Sequence, residues 1–326
     1  MKSLINSLLP SGHAPREYGE AYAPANIALC KYWGKRDEAL KLPRTGSLSV
    51  SMGAFGTHMR LLPAKTDSLC INGMEFPADD KASRRLFGFL DLLRGPDVRL
   101  RVESRNTIPM AAGLASSASA FAAAVKAMDA LYDWQLDGRS LSILARLGSG
   151  SASRSVYEGF VEWHEGVDPA GMDSFAEPVA PVWPDFRVGI LTLSEAEKAV
   201  GSSEGMKRTV ETATLYRAWP EQVARDLPEI RRAVRSHDFP ALGRTAENNA
   251  LAMHATMIAA WPPVLYWRPE TVAALHAVHR LRSEGVDVYA TMDAGPNVKL
   301  LFLSPNEARI QETFPDMKTV SPSEAK

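Results

Sequence analysis

The segment Ile108-Pro109-Met110-Ala111-Ala112-Gly113-Leu114-Ala115-Ser116-Ser117-Ala118-Ser119-Ala120 constrains this chain more than any other. Proline, small residues and a glycine make a loop without bulky side chains, and it opens straight into an alanine-rich helical stretch running to Trp134. The first turn of a helix has unpaired N–H groups and partial positive charge, so it attracts phosphate. Gly113 lets the backbone approach an anion closely, and the serine hydroxyls are in reach of phosphate oxygens or a magnesium ion. The same composition also suits a tightly packed, N-capped helix lying on a sheet. The loop alone leaves both readings open.

The 326 residues are 45% hydrophobic and 23% charged, with a pI near 6.7, enough for two domains. A net charge of −1 gives no general attraction to nucleic acid or an anionic membrane, so anion binding has to come from a local cluster. The two cysteines, Cys30 and Cys70, make no disulfide framework and fit a reducing cytoplasm. Cys30 lies in an apolar run and reads as a packed thiol. The run Leu4–Leu9 is too short for a signal peptide's core and is broken by Pro10, and no segment approaches a membrane span.

Tyr22–Ser51 reads as strand interrupted at Gly34–Thr45. Ser47–Met52 alternates serine with apolar residues, which predicts a strand with one buried face. His58–Leu62 reads as a further strand, and Ser68–Phe76 as a hairpin turning at Asn72-Gly73. Lys81–Arg94 follows a helical period, Val98–Glu103 alternates, and Ser140–Leu147 is helical. Pro169–Pro184 is the expected domain crossing, dividing the chain into 1–184 and 185–326. Beyond it the expectation is strand Arg187–Ser194, helix Gly205–Ala218, and a largely helical Gln222–Ala260 broken near Pro240. Helix Thr271–Glu284 and strands Val286–Thr291 and Val298–Leu303 complete the pattern. Strands and helices mix without regular alternation, so the expected class is α+β.

Four constellations carry chemistry. Pro24–Asp37 places Lys31, Tyr32, Lys35 and Arg36 at the end of an apolar strand, which suits either phosphate binding or a solvated strand end. Gly148–Ser155 is a serine-glycine run closing on Arg154; it is either a surface turn or a loop for a substrate bearing phosphate and carboxylate. Asp293 sits in the turn Asp293-Ala294-Gly295-Pro296-Asn297, where an aspartate commonly just stabilises the turn. Glu197–Met206 again sets a serine pair before a helix, as an N-cap or as a second phosphate contact. His276 and His279 lack a third ligand nearby, and His254 reads as structural.

Together these segments resemble the GHMP kinase superfamily and, within it, the diphosphomevalonate decarboxylases. Pro109–Ser119 is similar to the family's ATP phosphate loop, Gly148–Ser155 to its substrate loop and Asp293–Asn297 to its catalytic turn. Lys31-Tyr32-Trp33-Gly34-Lys35 and Asp293-Ala294-Gly295-Pro296-Asn297 are specific to the decarboxylase branch. Asn249–His254 with Pro262, Pro263 and Tyr266 extend the likeness, which runs from about Tyr22 to Leu303. The chain departs from the family pattern at Arg44-Thr45-Gly46, Gly201 and Ser203, beside the expected active-site rim.

The resemblance implies two α+β domains with a cleft between them, often as a homodimer. It implies ATP-dependent decarboxylation of mevalonate 5-diphosphate to isopentenyl diphosphate, with ATP and Mg2+. Asp293, Arg154 and Lys31 would be catalytic. Asn26, Tyr32, Lys35, Ser149, Ser151 and Ser202 would bind substrate, and Asn106, Gly113, Leu114, Ala115, Ser116, Ser117 and Ser119 would bind ATP; no magnesium ligand is assigned. The alternatives are a decarboxylase of the monophosphate, a non-decarboxylating mevalonate-type kinase, and a non-catalytic nucleotide-binding protein.

Overall fold

A computed structural model of the chain describes residues 1–107, 116–196 and 198–323. The apolar run at the start is a short helix, α1 (Lys2–Leu8), with Leu4 and Ile5 buried. Strands β1 (Gly19–Cys30) and β4 (Ser47–Ala64) pair antiparallel, and a small hairpin, β2 (Lys35–Asp37) with β3 (Leu42–Pro43), fills the polar interruption between them. β4 is continuous where two strands were expected. Its glycines suggest a break, yet Gly53 with φ +52° only bends the strand.

The hairpin β5 (Ser68–Ile71) and β6 (Met74–Phe76) turns at Asn72 and Gly73 with φ of 50° and 81°, the left-handed pair that an Asn-Gly turn favours. Then come α2 (Lys81–Leu90), β7 (Arg99–Asn106), α3 (Ser116–Tyr132) and α4 (Gly138–Gly148). Asp80 and Asp137 cap α2 and α4 by accepting from Ala82 N and Ser140 N. A 3-10 helix (Gly150–Val156) leads to β8 (Phe160–Trp163) and β9 (Ala176–Ala180). The sheet runs β6-β5-β7-β4-β8-β9, with β1 also on β4, and only the β5–β7 pair is parallel. β9 falls inside the proline-rich stretch expected to be a crossing. It is an edge strand, where Pro178 breaks no inner ladder.

The second half contains β10 (Phe186–Leu191), α5 (Ser202–Thr212), a 3-10 turn (Thr214–Ala218), α6 (Trp219–Ser236) and α7 (Phe239–Ile258). It continues through α8 (Pro269–Ser283), β11 (Val288–Met292), β12 (Val298–Leu303), α9 (Glu307–Thr313) and β13 (Lys318–Val320). The break between α6 and α7 comes at His237 in the left-handed region; Pro240 lies in the first turn of α7, where no N–H is needed. The second sheet is antiparallel in the order β11-β12-β10-β13. Mixed, mostly antiparallel sheets with segregated helices make the fold α+β, as the pattern predicts.

Ala25, Ile27 and Leu29 of β1 and Leu48, Val50 and Met52 of β4 pack with Val223, Ile230, Leu242, Ala246 and Ala250 of α6 and α7. That core continues into Val188, Leu300 and Phe302 of the second sheet. A separate core joins Ala23, Met59 and Leu61 to α2, α3 and α4. The alternating serines Ser47, Ser49 and Ser51 are also buried, so this part of β4 is covered on both faces rather than one. The polar face is covered by the 3-10 helix carrying Arg154, and that places the site.

Candidate active site

Lys31 leaves the end of β1, and its backbone N–H donates to Asn249 Oδ1 on α7 at 2.8 Å. Asn249 Nδ2 donates to Asp226 Oδ2 on α6 at 2.7 Å, and Gln222 Nε2 reaches both Asp226 oxygens at 2.9 Å. A carboxylate only accepts, so Asp226 fixes which way the Asn249 amide faces. The Lys31 ammonium donates to Ala28 O at 2.7 Å and to Asp293 Oδ1 at 3.0 Å. Gly34, at φ +109°, turns the chain away where a Cβ would meet the Tyr216 hydroxyl at 1.8 Å; that hydroxyl donates to Trp33 O.

Asp293 follows β11. Its side chain does not simply fasten its own turn, because both carboxylate oxygens face lysines. Lys31 takes Oδ1, and Lys299 on β12 stands 3.6 Å from Oδ2. Both lysine side chains are 2% exposed while that of Asp293 is 30% exposed, so the carboxylate is the member open to solvent. Its backbone carbonyl accepts from Gly295 N at 2.7 Å and from His254 Nε2 at 3.0 Å. A carbonyl cannot donate, so the His254 proton sits on Nε2.

Burial pushes the Asp293 carboxyl up, but Lys31, Lys299 and Lys198 outweigh it and hold the group well below the usual carboxylate range. Burial lowers Lys31 and Lys299, partly offset by Asp293. Burial also drives His254 down to about 4, so it is neutral near pH 7.

Arg154 is buried on the 3-10 helix. Nη1 donates to Ser47 Oγ, and Nη2 to Asn26 Oδ1 at 3.3 Å. Asn26 Nδ2 in turn donates to Ser155 Oγ at 2.7 Å and Ser151 O at 3.2 Å. Arg154 Nε has no protein partner, and neither has the buried hydroxyl of Tyr32. Burial lowers Arg154 to about 10, while Asp293, which interacts with it electrostatically, raises it. A buried guanidinium edge and a buried phenol are donors of the kind that suit an anion. Gly148–Ser155 is thus a buried helical turn and not a flexible surface loop.

Of the remaining expected residues, Ser149 and Ser151 place their hydroxyls 3.4 Å apart. Tyr32 packs on Trp163, with ring centroids 4.8 Å apart. Lys35 is occupied by Glu38 at 2.6 Å. Ser202 opens α5 with Gly201 as N-cap, so the serine pair does not cap that helix. Its hydroxyl accepts from Lys198, whose ammonium also donates to Ala294 O at 2.6 Å, tying α5 to the Asp293 turn.

Asn106 ends β7, and its backbone N–H donates to Asn72 Oδ1. Gly113, Leu114 and Ala115 lie outside the described residues, while Ser116 and Ser117 open α3. Ser119 is fully buried, with its hydroxyl 2.8 Å from that of Thr57, so it fastens α3 to β4. No group of three His, Cys, Asp or Glu residues suited to a metal occurs among the described residues.

Sequence reasoning missed Ser47, Asp226, Lys198 and Lys299, and it read His254 and Asn249 without their partners. Lys299 had a usable signal: a lone cation in the apolar strand Val298-Lys299-Leu300-Leu301-Phe302 needs a buried counter-charge. Asp226 had none, because its partner on α7 is known only once the two helices pack.

Comparison with known proteins agrees with this geometry. A model described as diphosphomevalonate decarboxylase-like N-terminal domain matches residues 23–176, and one described as mevalonate 5-diphosphate decarboxylase C-terminal domain matches residues 188–324. The chain is 37% identical to diphosphomevalonate decarboxylase mvd1 of Aspergillus fumigatus, over 90% of this chain and 78% of that protein. It is also 37% identical to the human diphosphomevalonate decarboxylase, over 86% of this chain and 76% of that protein. The crystal structure of mevalonate diphosphate decarboxylase from Staphylococcus aureus superposes with a TM-score of 0.86 at 36% identity, covering 94% of this chain and 95% of that one. A structure called "MDDEF in complex with MVAPP, AMPPCP and Magnesium" gives 0.85 at 36% identity, covering 93% and 96%. With both halves matched by family models and more than a third of its residues identical to curated relatives, this chain belongs to the diphosphomevalonate decarboxylase family.

Proposed function

We propose that the Asp293 cluster carries out the family reaction, the ATP-dependent decarboxylation of mevalonate 5-diphosphate to isopentenyl diphosphate, ADP, phosphate and CO2. The observation that carries this reading is one ionised carboxylate, open to solvent, flanked by the buried ammoniums of Lys31 and Lys299 with Arg154 acting on it. Asp293 orients the tertiary hydroxyl for attack on the γ-phosphorus of ATP. A carboxylate held so far below its usual range is a weak base. It therefore takes the hydroxyl proton late, once the bond to phosphorus has made that oxygen acidic.

Lys31 sits where charge grows on the transferring phosphoryl group. The phosphate of the new ester then leaves with the C–O electron pair. The C–C bond to the carboxylate breaks towards the cationic carbon, giving the alkene and CO2. Arg154 faces that carboxylate through Nε and whichever Nη exchanges its protein acceptor for the substrate.

Tyr32, Lys35, Ser149 and Ser151 hold the diphosphate end, with the Tyr32 hydroxyl already lacking an acceptor. Asn26 and Ser202 complete the substrate set. ATP lies along Asn106 and Gly113–Ser119, where Ser119 contributes by anchoring α3. The described residues contain no carboxylate cluster that would fix magnesium without the nucleotide. Magnesium would arrive with ATP and would shield the charge of its phosphates, with Ser116 and Ser117 at the start of α3 as the residues that would serve them. The division at 184/185 into two domains, the homodimer and the cytoplasmic location belong to the same reading. Among the described residues no helix is long and apolar enough to cross a membrane.

Incubation with ATP, magnesium and mevalonate 5-diphosphate labelled in the carboxyl group tests this directly. Labelled CO2 and isopentenyl diphosphate are expected. A phosphorylated product without CO2 would make the chain a kinase, and ATP binding without turnover would make it a binding protein. The donors at the diphosphate end predict a preference over the monophosphate of at least ~30-fold in kcat/KM, the worth of one or two charge-assisted hydrogen bonds. Equal efficiencies would reassign the substrate to the monophosphate.

A further inference from the structure

Asp293 has two oxygens and two lysines, and the lysines are not equivalent. Lys31 follows the end of β1, and its ammonium is shared between Ala28 O at 2.7 Å and Asp293 Oδ1 at 3.0 Å. Lys299 projects from the middle of the second sheet, opposite Thr291 in the β11–β12 register, two residues before Asp293. Its position is therefore set by the same ladder that sets the aspartate. It is 2% exposed, so it faces the carboxylate from the protein side, whereas Asp293 is 30% exposed.

We propose that Lys299 is a positioning residue: it holds Oδ2 of Asp293 from behind, so that the aspartate keeps its orientation when Lys31 leaves Oδ1 for the transferring phosphoryl group. The inference rests on the reaction proposed above and adds a division of labour to it. One lysine serves the substrate, and the other serves the aspartate. Had Lys31 been the sole cation, its move to the phosphoryl group would leave a half-buried carboxylate unbalanced at the moment it must stay in place. The charged and titratable groups acting on Asp293 support this assignment. They are Lys31 at the end of β1, Lys299 on β12, Lys198 in the segment after β10 and His254 on α7, with Arg154 on the 3-10 helix. Lys198 is committed to Ala294 O and Ser202, and His254 is held neutral on the backbone carbonyl. Among the described residues, that leaves Lys299 to hold the far oxygen.

A double-mutant cycle in the full-length protein tests it, with labelled CO2 release as readout and wild type run alongside to check the reaction itself. Lys299→Met is expected to lower kcat by about tenfold or more and to leave KM for mevalonate 5-diphosphate within about threefold. In an Asp293→Asn background the same change should cost less than about twofold, because the group it acts through is gone. Lys299→Arg, which keeps the charge, should recover part of the loss. An equal loss in both backgrounds would show a general structural role, and a rise in KM accounting for the whole loss would show that Lys299 binds substrate; either overturns the proposal. If Asp293→Asn has no measurable turnover, thermal unfolding of the same four proteins replaces kcat. Lys299→Met must then destabilise the aspartate protein more than the asparagine one, and equal shifts overturn the proposal.

Discussion

Two carboxylates in the second half of the molecule show opposite designs. Glu247 on α7 is saturated: Arg282 reaches both its oxygens at 2.8 Å, and Ala290 N donates at 2.6 Å. One fork matches one carboxylate, and the side chain is 10% exposed. Asp293, in the turn after β11, faces Lys31 and Lys299 at 3.0 and 3.6 Å, is 30% exposed, and has Arg154 and Lys198 acting on it as well. Cations outnumber the carboxylate there, and Arg154, which interacts electrostatically with both Asp293 and Tyr32, leaves its Nε without a protein acceptor, as does the Tyr32 hydroxyl. Glu247 is matched and closed, whereas the cluster around Asp293 carries an excess of positive charge, which under the proposed function an anionic substrate balances.

The sharpest way to break the contrast is at Lys31. Lys31→Met should lower kcat by roughly 10²–10³-fold, the usual effect of removing one preorganised donor to a charge-developing transition state. Single-turnover phosphoryl transfer would measure it. A loss confined to KM would assign Lys31 to binding only. Arg154→Lys keeps the charge and loses the planar fork, so kcat/KM should fall roughly tenfold. An analogue without the carboxylate should hardly respond to that change, and equal sensitivity of both ligands would place Arg154 on phosphate or on the fold.

His254 gives a smaller effect, in stability. Its folded-state value is near 4 against 6.5 for the free side chain, so between these values the unfolded chain binds the proton and the folded one does not. Its contribution is complete above pH 6.5 and is lost as pH falls towards 4. From pH 6.5 to about 5 the loss should be about 2 kcal/mol. Denaturant unfolding of wild type and His254→Gln at both pH values checks this, and equal pH slopes would remove His254 from the account. The smallest catalytic effect should be that of Glu247→Gln. It should destabilise by about 2 kcal/mol and leave kcat per folded molecule within about twofold.

Much of this was legible beforehand. The α+β class, the Asn72-Gly73 hairpin and the β12 strand follow from period and turn chemistry; Lys31, Arg154 and Asp293 came from the family resemblance, and the structure pairs Lys31 with Asp293. What stayed hidden depends on partners distant in sequence. Ser47 reads as the outward face of a strand until a 3-10 helix more than a hundred residues later covers it with Arg154. Asp226 and Asn249 read as polar faces of two helices until those helices pack and the pair fixes Lys31. Ser202 looked like a cap because small hydroxyl residues favour that position, yet Gly201 takes it. The proline-rich stretch looked like a linker because an edge strand tolerates proline as a linker does.

The most direct measurement sets the two carboxylates side by side. Labelled CO2 release from mevalonate 5-diphosphate is followed for wild type, Asp293→Asn and Glu247→Gln, normalised to folded protein, with ATP affinity measured on the same samples. Asp293→Asn should lose roughly 10²–10⁴-fold in kcat with ATP affinity close to wild type, since an amide keeps the shape but neither the charge nor the basicity. Glu247→Gln should turn over almost normally. An Asp293→Asn protein within about threefold of wild type, or a Glu247→Gln protein equally impaired, would contradict the account.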